Sequence, residues 1–136
     1  MALGSPFGKD VERVYDLDDD KDLQVLGLNK SIERADRIIH FVECHHVVIE
    51  DKGRSQPVRK AIAQLESTIE RVKLTNIKSA IIVKEKIPRI EEGLFHWNHV
   101  TMQLTKGHSI QRPVTLTRDL PLFMLTPLQA KAYRLI

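Results

Sequence analysis

Four side chains in this sequence stand at spacings suited to holding a metal. His40 and Cys44 are four residues apart, and His96 and His99 are three apart. On helices, each pair would present two donors on one face. Together His40, Cys44, His96 and His99 form a His₃Cys set of zinc-compatible nitrogen and sulfur ligands. Against this, a lone cysteine commonly serves as a small buried hydrophobe, and two separate helices would have to aim their pairs at each other. The expectation is therefore no metal and no cofactor, with the His/Cys zinc site as an alternative. Cys44 beside a histidine also meets the minimum for nucleophilic catalysis, but no glycine-rich turn offers donors for an oxyanion. Asp16, Asp18 and Asp20 match the first, third and fifth places of a calcium loop. Lys21 then replaces the required glycine, and Gly27 the closing glutamate.

Other catalytic signatures are missing. The sequence has no GxGxxG, HExxH or GxSxG pattern and no phosphate-cradling loop. Glu91 and Glu92 are adjacent, so on a helix their carboxylates diverge. Tyr15, Tyr133 and the single Trp97 are too scattered for a base-stacking platform, and Trp97 reads as a core or interface anchor. Enzyme is the least supported class, and the expectation is a non-catalytic protein.

Charge is unevenly distributed. The net charge is +3 over 136 residues, yet residues 1–28 carry three basic and seven acidic side chains while the remainder is strongly basic. The second candidate function is a small basic DNA- or RNA-binding protein using Arg54, Arg59, Lys60, Arg71, Lys73 and Lys78. One cysteine excludes an internal disulfide framework and fits a reducing compartment. No apolar run approaches the ~20 residues that a membrane span needs. The expected location is cytoplasmic, or within a particle assembled inside the cell.

The elements that must position these residues are read as helices. In Gln56–Leu74, the residues Val58, Ala61, Ile62, Leu65, Ile69 and Val72 recur at spacings of three and four, with Pro57 at the front. A second helix is predicted over residues 31–51, from the shared face of Ile32, Ala35, Ile38, Ile39, Val42, His46 and Ile49. The two form a helical hairpin. A short helical turn is expected over 10–15, a strand or turn over 23–28, and helix in preference to strand over 77–87. Ile90, Leu94, Trp97 and Leu104 continue helical spacing to a stop at Gly107.

Beyond Gly107 the composition changes. Three prolines and many β-formers make 108–127 an extended arm, whose Leu120, Leu122, Phe123, Met124 and Leu125 concentrate apolar surface. A Pro-started helix closes the chain as LTPLQAKAYRLI. That string is similar to the opening of the first helix in helix-turn-helix regulators of the LuxR and LexA types. The resemblance covers Leu125 to Ile136, and it implies a DNA-binding module only if a recognition helix accompanies it.

The predicted architecture is thus mainly α, with a helical hairpin inside a three- to four-helix domain. An extended C-terminal arm is able to add a short β-strand. Residues 1–28 form an acidic N-terminal segment, 29–107 the helical core, and 108–136 the arm and terminal helix. The expected function is a structural or adaptor subunit of a larger assembly, such as a viral or phage particle or a secretion machine. Its partners are other protein subunits in a homo- or hetero-oligomer, met through Trp97, Leu120, Leu122, Phe123 and Leu125, with nucleic acid as the alternative partner.

Overall fold

The computed structural model describes residues 6–53, 57–85, 95–98, 100–107 and 109–136. Its framework is a mixed sheet. Strand β1 (Val11–Asp16) leads through helix α1 (Asp20–Leu26) to β2 (Arg37–Phe41) and β3 (His46–Gly53). Helix α2 (Val58–Arg71) then crosses over to β4 (Ile77–Lys84). Short strands β5 (Phe95–Trp97), β6 (Leu104–Lys106) and β7 (Arg112–Pro113) make a second sheet of three strands. Strands β8 (Thr115–Leu116) and β9 (Leu120–Leu125) rejoin the main sheet, and α3 (Pro127–Ala132) follows. The six-stranded order is β1-β2-β3-β4-β9-β8. β1, β2 and β3 form an antiparallel meander, while β3, β4 and β9 run parallel.

The mainly helical expectation is therefore corrected: strands dominate, and three short helices accompany them among the described residues. The helical hairpin fails because its first arm is the β2–β3 hairpin. Ile38, Ile39, Val47, Val48 and Ile49 are all essentially fully buried. Strands covered on both faces read as continuous apolar runs rather than as alternation, and such a run can match a helical period by accident. Their β-branched side chains suit a pleated surface. The turn between them places Cys44 at φ 68°, with its N–H donating to Phe41 O at 2.9 Å. The predicted cap at Asn29 and Ser31 is instead a local turn, in which Ser31 N–H donates to Asn29 Oδ1 at 3.0 Å.

The same reasoning corrects 77–87, where Ile77–Lys84 is a strand buried on both faces except at Lys78. It also corrects the continuing helix, since β5 and β6 occupy 95–97 and 104–106; the portion over 88–94 lies outside the described residues. Near the N-terminus the expectations are exchanged. The turn predicted over 10–15 is strand β1, and the strand or turn over 23–28 is the end of α1, closed by Gly27 at φ 71°.

Helix α2 forms as predicted. Val58, Ala61, Leu65 and Ile69 are fully buried, each larger side chain contributing roughly 1.5–3 kcal/mol. They meet Ile38, Val48, Ala80, Ile82 and Leu122 on one face of the sheet. The other face carries Ile39, Val47, Ile49, Ile81 and Val83, covered by Phe7, Ala130 and Leu135. The arm packs within its own chain: Ala80, Ile81, Ile82 and Val83 pair with Leu122, Phe123, Met124 and Leu125. α3 begins in a capping box between Thr126 and Gln129. No helix among the described residues is long and apolar enough to cross a membrane.

Candidate functional site

The structure scatters the zinc candidates. His40 lies in β2, Cys44 in the exposed β2–β3 turn, and His96 in the second sheet; His99 is outside the described residues. With strands replacing helices, the four-residue spacing of His40 and Cys44 no longer aligns two donors. Among the described residues, no three His, Cys, Asp or Glu side chains gather to hold a metal. His40 instead stacks on His46, its cross-strand neighbour, with ring centroids 4.4 Å apart. Its Nε2 lies 3.4 Å from Glu12. His46 is buried and shares a 2.7 Å hydrogen bond between Nδ1 and Asn76 Oδ1. Burial of the ring pushes its pKa down, and the Asn76 bond opposes that shift.

The basic set divides. Arg59 and Lys60 are exposed in the first turn of α2, whereas Arg71 and Lys73 lie at its far end. Eleven residues of helix separate Lys60 from Arg71, about 16 Å. Lys78 is exposed early in β4, and Arg54 is outside the described residues. The apolar partner candidates are largely enclosed. Leu120, Leu122 and Leu125 are buried, Phe123 is half-buried, and half-buried Trp97 donates its indole N–H to Met124 O at 2.8 Å.

A different group comes together at the end of the β2–β3 hairpin opposite its turn. The register pairs His40 with His46, Ile39 with Val47, Ile38 with Val48 and Arg37 with Ile49. The paired register ends at that last pair. Contact between the chains persists there, with Asp36 N–H donating to Ile49 O at 3.0 Å and Asp51 N–H to Asp36 Oδ2 at 2.5 Å. By strand alternation Glu50 shares the face of Val48, beneath α2. Glu50 is only 1% exposed. Half-buried Asp36 opens onto a cleft of about 400 Å³ lined by Val14, Asp16, Asp18, Asp36, Arg37 and Asp51.

Helix α2 adds a neutral oxygen. The Thr68 hydroxyl accepts the Ala35 N–H at 2.8 Å and donates to Gln64 O at 2.9 Å, so this part of α2 lies over the start of β2. Gln64 stands one turn from Thr68 on the same helix face. Its side-chain Oε1 is enclosed and has no hydrogen-bond partner among the described residues.

Burying a carboxylate is costly unless it is paired. Glu50 and Lys84 are both buried, and Lys84 lies two residues beyond Ile82, the β4 partner of Glu50. On the cleft side, Asp36 is held by the Asp51 N–H, and Arg37 stands 3.8 Å from the Asp51 carboxylate. Exposed Arg59 and Lys60 occupy the first turn of α2, which follows β3.

The sequence placed Asp36 and Glu50 on a predicted helix, so neither the cleft-lining Asp36 nor the buried Glu50 was foreseen. A usable signal was present: an acidic residue just before one apolar run and another closing the next, followed by lysine. No protein-family model, curated protein or solved structure matches the chain.

Proposed function

We propose that the chain is a protein-interaction subunit of a larger assembly, one that joins oppositely charged surfaces. The observation that carries this reading is the charge asymmetry: residues 1–28 carry three basic and seven acidic side chains, and the remainder is strongly basic. Asp16, Asp18, Asp36 and Asp51 line one cleft, while Arg59 and Lys60 are exposed in the first turn of α2. An acidic region on one copy and a basic helix turn on another are complementary, and such complementarity steers association.

The α2 stripe and the apolar arm, which also suggested an assembly subunit, are packed within the chain, so only the asymmetry still supports it. The test is light scattering of the purified chain over a range of salt, because exposed charges are screened as salt rises. A multimer at low salt that dissociates at high salt, and that Arg59→Glu with Lys60→Glu abolishes, is expected. A monomer at low salt, or a multimer indifferent to both changes, would defeat the proposal.

A further inference from the structure

The cover that Phe7, Ala130 and Leu135 lay over the second face of the sheet stops short of β1. Val14 is 51% exposed, although its cross-strand partner Ile39 is buried, and Ile136 is 44% exposed. Both line an open cleft of about 500 Å³, whose apolar surface Val11, Ile39 and Leu135 complete. Small-molecule sites have this size and this mixture, an apolar wall with a few convergent charged groups. The charged groups here are Arg37, Arg134 and Asp10. We infer that the cleft binds an amphiphilic carboxylate of the medium-chain fatty acid class, its alkyl chain over Val14 and its carboxylate on Arg134. This site does not depend on the assembly reading above.

The β1–β2 register orders these groups along the cleft. Val11 lies opposite Phe41, Val14 opposite Ile39, and Asp16 opposite Arg37. Asp10 therefore stands at one end and Arg37 at the other, with about 13 Å of strand between the levels of Phe41 and Arg37. The Arg37 guanidinium is already engaged, donating to Leu135 O at 3.1 Å and standing 3.8 Å from the Asp51 carboxylate. That hydrogen bond also holds the segment bearing Arg134 at the basic end. Arg134 is exposed, and its guanidinium makes no ion pair among the described residues. Its backbone stands at φ 59° where α3 closes, its N–H donating to Lys131 O and the Leu135 N–H to Ala130 O. That left-handed position normally belongs to glycine. An arginine there accepts backbone strain and keeps a guanidinium at the cleft, and strain retained in this way marks functional positions. The planar guanidinium takes a carboxylate through two parallel hydrogen bonds. The alkyl chain then removes the exposed surface of Val14 and Ile136 from water.

The experiment is isothermal titration of decanoate, kept below its micelle concentration, into the full chain and into Arg134→Gly, Val14→Glu and Lys131→Ala. Lys131 is an exposed cation of α3 outside the cleft. Decyltrimethylammonium serves as the same tail with the opposite charge. The native chain should bind decanoate saturably, and decyltrimethylammonium at least about tenfold more weakly. Arg134→Gly should bind decanoate about tenfold more weakly, the loss expected from a charge-assisted hydrogen bond. Its melting temperature should hold or rise, because glycine relieves the left-handed turn. Lys131→Ala should stay within about twofold of the native chain. No saturable binding of decanoate, or equal binding of the two tails, overturns the inference. Native affinity in Arg134→Gly overturns it too, as does an equal loss in Lys131→Ala. Should Arg134→Gly not fold, Val14→Glu decides: a charge placed under the alkyl chain should weaken decanoate binding, and native affinity overturns the site.

Discussion

The two ends of the β2–β3 hairpin hold their polar groups in different ways. At the turn, His40 faces His46, and in the middle Ile38 faces Val48. The two rings stack, and His46 is satisfied by Asn76. At the open end the paired register stops at Arg37 and Ile49. There the Asp36 carboxylate accepts the Asp51 N–H in a cleft, while Glu50 is buried. One end carries a polar pair across the ladder by stacking, and the other closes the ladder with a side chain that takes the place of a backbone acceptor.

The middle pair holds the comparison together, and breaking it should have the largest effect on stability. Ile38→Ala opens a cavity under Leu65 and Ile69, at a cost of about 2–5 kcal/mol. Chemical denaturation should show a lower midpoint with an unchanged slope. A cost below about 1 kcal/mol would mean that α2 does not press on this pair.

Next in size is the open end. Asp36→Ala removes the acceptor of the Asp51 N–H and should cost about 0.5–1.5 kcal/mol. Asp36→Asn should cost less, because the Asn side-chain oxygen can still accept that N–H. Chemical denaturation of both variants reads the difference. An equal loss in the two would mean that the charge of Asp36, and not its hydrogen bond, holds the strand end.

Much of this was legible in the sequence, but unevenly. The α2 stripe was, because a helix lying on a sheet keeps one polar side and its period survives. The closing α3 was too, because proline and Thr126 mark its start. The hairpin was not: Val47, Val48 and Ile49 are buried on both faces, which removes the two-residue alternation that identifies a strand. The parallel placement of β4 beside β3 and β9 depends on contacts distant in the sequence. The cleft was lost with the hairpin, since Asp36 and Asp51 are fifteen residues apart and meet only where β2 and β3 lie side by side.

The smallest expected effect tests the turn end. Burial lowers the pKa of His46 from its ordinary 6.5, and the neighbouring His40 lowers it further while Asn76 resists. His40, His45, Glu12 and Tyr15 surround the ring from β1, β2 and the turn. Above pH 6.5 the ring is neutral in both folded and unfolded chains, and its contribution to stability is fully present. As pH falls below that value the unfolded chain takes up the proton first, so stability declines until the lower folded value is passed. His46→Phe keeps a stacked ring and removes the titration. Its melting temperature should therefore fall less between pH 7.5 and 5.5 than that of the native chain, although the remaining groups titrate in both. Equal falls would mean that the buried ring accepts its proton without cost.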